Sequence, residues 1–180
     1  MAGYNFDQKL RFSLGEREKL DLELLKPAIL GCVTVFKTSD TIDKSGIDYI
    51  AVLRGGTRIQ IDAKTREKGC SRFWKNGPEL ALEIWSKCPS ESKPGVTGWT
   101  LKEDGQVDMI LYTFDPEDSG EFYLLPFQHL RMAFRKNYKD WTARFKKAYQ
   151  PNDGYKSEAV FVPATVVLDA IREEMRRKVA

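Results

Sequence analysis

The chain contains one histidine, His129, among its 180 residues. Any zinc site or acid–base relay built on imidazoles would therefore rest on His129 alone, which reads as a structural residue near a helix start. Three cysteines, Cys32, Cys70 and Cys88, form an odd set with no CxxC spacing. That pattern argues against a disulfide framework and against a cysteine-bound metal. No G-x-S-x-G is present and nothing ties a cysteine to His129, so serine and cysteine hydrolases lack a constellation. No G-x-x-x-x-G-K-[ST] occurs, which leaves a P-loop nucleotidase unsupported. No apolar run approaches the roughly 20 residues that span a bilayer, and the initial MAGYNFDQKLRF lacks the apolar stretch of a signal peptide. The expectation is a soluble, cytoplasmic (intracellular) protein with no membrane partner. Internal repeats and low-complexity tracts are missing as well. The net charge is only +3, so a polyanionic partner has to be argued from where the basic residues lie.

What is present is enough for a core: 42% of the residues are hydrophobic and 12% aromatic, in a length that suits one domain over residues 1–180. Apolar residues at Leu10, Leu14, Leu22, Leu25 and Ile29 recur at helical steps, with Pro27 in the last turn and Gly31 at the capping position. A strand, CVTVFKTSD, follows and gives way to the turn-forming SDTIDKSG. GIDYIAVLRGGTRIQIDAK then reads as two strands around Gly55-Gly56. TREKGCSRFWKNG reads as a basic loop, PELALEIWSK as a short helix with Pro78 near its start, and PSESKPGVTG as a flexible connection. Two strands, QVDMILYTF and GEFYLLPF, flank the turn DPEDSG, where Asp115, Glu117 and Asp118 read as a polar turn. Gln128 to Tyr149 is periodic enough for a helix, and SEAVFV-Pro163 leads as a strand into a final amphipathic helix. The order of helix, three strands, helix, two strands, helix, strand, helix predicts a mixed α/β (α+β) domain with one central sheet.

The hairpin carries the chemistry. Alternation puts Ile59, Ile61 and Ala63 on one face of its second strand and Arg58, Gln60, Asp62 and Lys64 on the other. Asp62 can then hold a divalent cation while Lys64, one pleat on, reaches an anionic oxygen beside it, with Asp48 as the second carboxylate. Two carboxylates suit a hard ion such as Mg²⁺, whose bound water is acidified enough to attack a phosphodiester. Register decides whether the acids can meet. A strict two-residue loop at Gly55-Gly56 would set Asp48 opposite Ala63 and on the wrong face. A longer loop, a bulge at the glycines, or Asp48 just ahead of the strand would bring them together, and one of these is predicted.

Gly46-Ile47-Asp48, thirteen intervening residues and Asp62-Ala63-Lys64 resemble the motif of the PD-(D/E)XK nuclease superfamily, the restriction-endonuclease-like fold that includes Holliday junction resolvases. The resemblance covers roughly the N-terminal third of the chain. It implies a central mixed sheet flanked by helices. By it, Asp48, Asp62 and the carbonyl of Ala63 would bind Mg²⁺ or Mn²⁺, and Lys64 would position or activate the attacking water. A glutamate on the first helix also belongs to the pattern; Glu18 shares the stripe of Leu14, Leu22 and Leu25 and is the choice, with Glu16 second. The chain departs from the named motif in having no proline before the first acid. The implied activity is metal-dependent DNA endonuclease, acting on branched DNA if the resolvase likeness extends to substrate. A homodimer would fit cleavage of both strands.

Basic residues lie around this motif. Arg66, Lys68, Arg72 and Lys75 crowd one loop with Phe73 and Trp74, a composition suited to phosphate contact and base packing. On the long helix, Arg135 and Lys136 sit among further cations against a single acid, Asp140, as a second candidate contact with the DNA backbone. The competing expectation is a nucleic-acid-binding or interaction protein of the same fold that has no catalytic activity. A third is an unrelated α+β domain in which Asp62 and Lys64 form a surface ion pair.

Overall fold

The computed structural model describes residues 16–39, 46–103, 107–115 and 117–177, with side chains of the first helix given from Asp21 onward. Three α-helices occur among them: α1 (Glu16–Ala28), α2 (Phe127–Arg144) and α3 (Ala164–Arg177). The strands are β1 (Cys32–Lys37), β2 (Tyr49–Leu53), β3 (Arg58–Arg66), β4 (Glu79–Lys87), β5 (Val96–Thr97), β6 (Met109–Phe114), β7 (Phe122–Pro126), β8 (Lys147–Asn152) and β9 (Tyr155–Pro163). They form a five-stranded sheet in the order β1-β2-β3-β6-β7 and a four-stranded sheet in the order β5-β4-β9-β8. The class is α+β as predicted, with two sheets in place of one. No described helix is long and apolar enough to cross a membrane.

The described residues divide into two compact units, those within 1–63 together with 107–111, and those within 64–106 together with 112–180. In the first, α1 buries Asp21 and Leu25, and Ile29 just past its end continues the stripe at four-residue steps. Gly31, with φ 76°, turns the chain out of the helix as a left-handed cap. β1 and β2 pair antiparallel, as do β2 and β3. The hairpin between β2 and β3 closes through Leu53 N–H to Thr57 O at 2.9 Å. Its loop is therefore the three residues Arg54-Gly55-Gly56, and both glycines take positive φ (98° and 86°), which side chains resist.

The second unit is governed by a strict period of two. In β4, Leu80, Leu82 and Ile84 are buried while Glu79, Ala81 and Glu83 alternate with them. PELALEIWSK is thus a strand and not the expected helix: its leucines recur every second residue, and burying all three on one face requires extension. β9 matches it, with Val160 and Val162 fully buried and Ser157, Ala159 and Phe161 on the other side. The two strands pair antiparallel from Glu79↔Pro163 to Glu83↔Ala159, with a shift before Trp85↔Glu158. α2 and α3 pack on each other and against this sheet, burying Leu130, Phe134 and Trp141 from α2 and Val167 and Ile171 from α3. The long helix ends at Arg144, earlier than the expected Tyr149, because Lys147–Asn152 pairs with β9 as a hairpin strand. The connection expected to be flexible carries the short strand β5, paired antiparallel with β4.

The predicted polar turn is present at Asp115, Asp118, Ser119 and Gly120. Asp115 O accepts from the amides of Asp118, Ser119 and Gly120, and Glu117 pairs with Lys68 at 2.6 Å. The Asp118 carboxylate caps the 3₁₀ turn Cys70–Phe73, accepting from the amides of Gly69, Cys70 and Ser71 and from the Ser71 hydroxyl. The Ser71 hydroxyl does most to hold that carboxylate down at about 2, against an ordinary 3.8, while partial desolvation opposes it.

Two outcomes are expected. A methyl group on Gly98 would lie 2.4 Å from the Glu83 carbonyl oxygen, so Gly98→Ala should cost about 1–3 kcal/mol in urea unfolding. A depressed acid stabilises above its unfolded value and loses that contribution as pH falls through its folded value. Asp118→Asn should therefore be less stable than wild type at pH 7, and the gap in urea midpoints should close between about pH 4 and pH 2.

Candidate functional site

The site begins with the hairpin register. Tyr49 pairs with Ile61, Ile50 with Gln60, Ala51 with Ile59 and Val52 with Arg58. This is the register of a three-residue loop, and Asp48 stands one residue ahead of β2. Its amide donates to Ile61 O at 2.9 Å. Its Oδ2 accepts from the Ala63 amide at 2.6 Å. Asp48 thus brackets Asp62, bonded by its backbone to the residue before and by its side chain to the residue after. Asp62 itself is only 6% exposed, although a strand face of Arg58, Gln60 and Asp62 reads as the polar side. Thr38 secures the other flank: its hydroxyl donates to the Ile47 and Asp48 carbonyls, and its amide donates to Asp48 O.

Behind the hairpin, the Tyr49 hydroxyl donates to Asp21 Oδ2 at 2.9 Å, and both residues are buried. Asp21 is the acid of α1 that the structure ties to the hairpin, and it escaped the sequence reading. A buried-stripe argument could have found it, since Asp21 stands four residues before Leu25 and eight before Ile29. The side chains of Glu18 and Glu16 lie outside the described residues, so the sequence choice between them has no structural counterpart here.

In type, the donors suit a hard cation: two carboxylates, Asp48 and Asp62, and the backbone carbonyl of Ala63. Among the described residues no three or more His, Cys, Asp or Glu side chains gather as a metal cluster. Mg²⁺ is often held by only one or two carboxylates, with waters and substrate phosphate completing its shell, so this set fits such an ion.

Lys64, two residues beyond Asp62 on β3, opens the second unit. There it lines a cleft of about 230 Å³ with residues that include Arg66, Glu83, Trp99, Tyr112 and Phe161. Lys64 Nζ lies 6.0 Å from the Trp99 ring centroid, and the Arg66 guanidinium stacks 4.9 Å from that of Phe161. Glu83 Oε2 is held by the Ser86 hydroxyl at 2.6 Å and the Trp99 amide at 3.2 Å. Burial pushes the Tyr112 phenol up to about 12, so it stays protonated, and its oxygen accepts from the Ala81 amide at 2.7 Å. Burial, reinforced by the Asp118 carboxylate, likewise raises the Cys70 thiol to about 11, which makes it an inert core residue and not a nucleophile.

The basic residues selected from the sequence separate into groups. Arg66 belongs to the cleft. Lys68 is engaged by Glu117. Arg72 and Lys146 both lie over the exposed Phe73 ring, 4.7 and 4.8 Å from its centroid, and Lys75 is exposed beside them in the chain. Arg135 pairs with Glu103 at 3.2 Å, and Lys136 with Glu174 at 3.3 Å and Glu173 at 3.5 Å. The long helix therefore spends two of its cations within its own unit, on acids far away in sequence. Trp99, Tyr112 and Phe161 were not among the predicted site residues. Each comes from a different segment, and only the fold gathers them.

No known protein family matches the chain, and no curated protein or solved structure does.

Proposed function

We propose that this protein is a metal-dependent nuclease that hydrolyses phosphodiester bonds in DNA, with a restriction-endonuclease-like fold. The observation that carries the reading is the bracketing of Asp62 by Asp48, amide to Ile61 O and carboxylate to the Ala63 N–H. The bonds keep Asp48 beside the strand segment Ile61-Asp62-Ala63, two residues before Lys64, which supports the reading because this order of acids and lysine resembles the nuclease motif. Asp48, Asp62 and the Ala63 carbonyl would hold Mg²⁺ or Mn²⁺. Such an ion, when bound, supplies acidified water and neutralises phosphate charge.

The chain's own residues do the rest. The Ala63 amide fixes the rotation of the Asp48 carboxylate, so one of its oxygens is committed to the backbone and the group is oriented before any ligand arrives. Lys64 carries a positive charge toward the non-bridging oxygens, where negative charge grows as the phosphorus gains a fifth ligand. The proton released by water passes to solvent. Tyr49 and Asp21 stiffen the strand from behind, limiting drift of the acids.

A second reading has its own observation: the 2.6 Å bond to Ala63 gives Asp48 a structural role that needs no metal. Under it the protein binds nucleic acid without cutting it. Asparagine separates the two, because Asp48→Asn keeps an oxygen acceptor for the Ala63 amide and removes the charge. Supercoiled, linear and branched DNA should be cut with Mg²⁺ or Mn²⁺ and left whole in EDTA. Asp48→Asn, Asp62→Asn and Lys64→Ala should each lower the cutting rate by about 10²–10³-fold, with unchanged circular dichroism. Full activity in the folded Asp48→Asn protein would remove the metal role, and absence of cutting with every metal would leave the binding reading.

A further inference from the structure

The four-stranded sheet has two unlike faces. One carries Leu80, Leu82, Val160 and Val162, all buried and packed beneath the helices. The other bears Ala81, Glu83 and Ala159 along its centre, with Phe161 paired opposite Ala81. Ala148 continues that floor from β8, opposite Ala159. A β-sheet face would ordinarily be levelled by branched or aromatic residues; three alanines here leave a hollow. Its lining is also aromatic and cationic, with Lys64 over the Trp99 ring and Arg66 over that of Phe161. Arg66 Nε has no hydrogen-bond acceptor among the described residues. Glu83, an acid among the described lining residues, accepts from the Ser86 hydroxyl and the Trp99 amide.

These features select a ligand that is planar, anionic and small. An apolar floor with an indole wall accepts the face of an aromatic ring, and paired cations accept a phosphate. A cleft of about 230 Å³ admits one such unit. Duplex bases present their faces to each other and cannot offer one to Trp99 without leaving the stack. We propose that this cleft holds a single unstacked nucleotide of single-stranded DNA, its base against Trp99 and its phosphate on Lys64 and Arg66. The inference deepens the nuclease reading and rests on it only in giving Lys64 two partners, the scissile region and the seated nucleotide. The proposed enzyme would then prefer DNA with an unpaired stretch, such as a flap, gap or branch, over continuous duplex.

Binding can be read without cutting. In EDTA, a labelled ten-nucleotide single strand, a duplex of the same length and a deoxynucleoside monophosphate would be titrated against the full chain, using fluorescence anisotropy and tryptophan quenching. The single strand should bind roughly tenfold or more tighter than the duplex. Trp99→Ala should weaken single-strand binding by roughly tenfold or more, and Ala148→Phe, which fills the floor and leaves the Trp99 packing against Phe127 in place, should do the same. Duplex binding should change little in either variant. Equal affinity for single strand and duplex, or an Ala148→Phe protein that is folded by circular dichroism and binds as wild type, would overturn the proposal. A monophosphate binding as tightly as the oligonucleotide would also overturn it, assigning the cleft to free nucleotides. Cleft-dependent binding by a protein that cuts nothing would uphold the cleft and defeat the nuclease; metal-dependent cutting with no cleft dependence would do the reverse.

Discussion

The hydrogen bond from the Ala63 amide to Asp48 Oδ2 is the constraint on which the arrangement of acids in the first unit depends. It exists only because the hairpin turns over three residues, and the turn has that length because Gly55 and Gly56 accept positive φ without a Cβ penalty. A one-residue slip would exchange the faces of every side chain on one strand relative to the other. Asp48 would then pair with Ala63, and the bracketing of Asp62 would vanish. Thr38 and Asp21 hold the same register from two sides, one by its hydroxyl on the 47–48 carbonyls, the other through Tyr49. Each is a polar group placed among apolar ones, where an unmet hydrogen bond is costly and a wrong register is correspondingly disfavoured.

The second unit depends on alternation. β4 and β9 bring every second residue to a fully buried face, which fixes the seating of α2 and α3. The same alternation puts Ala81, Glu83 and Ala159 on the reverse, so the hollow is a by-product of the core pattern read from its other side. Gly98 lets the chain approach the Glu83 carbonyl closely enough to present Trp99 at the hollow's edge. Lys64 both closes the D-A-K sequence and lines the cleft.

How much of this could be read from the sequence follows from the range of the interactions involved. The β2–β3 hairpin, its irregular turn and the position of Asp48 were accessible, since loop length and side-chain period are local quantities. The Gly31 cap and the 115–120 turn were accessible for the same reason. β4 was misassigned because Glu, Leu and Ala favour helices intrinsically, whereas the buried pairing with β9 decides the outcome. β8 was lost inside the extended periodicity of α2, whose cationic residues run on past Arg144. The compensation of Arg135 by Glu103 and of Lys136 by Glu173 and Glu174 links positions some thirty or more residues apart. Charge counts along one helix carry no trace of it. Asp21 lay within reach, since it shares the buried stripe of Leu25 and Ile29, but the resemblance calls for a glutamate there.

The Tyr112 hydroxyl, held protonated by its burial, accepts the Ala81 amide from a strand that is paired with β9 on its other edge. Further along, Gly98 donates to the Ile84 carbonyl at 2.8 Å, so a loop takes up the next polar group on that border. A run of unpaired amides and carbonyls along a sheet border is an invitation to strand addition from another molecule. Here that border is closed by a phenol, a glycine loop and the two-residue strand β5, and β4 is thereby withheld from edge-to-edge association.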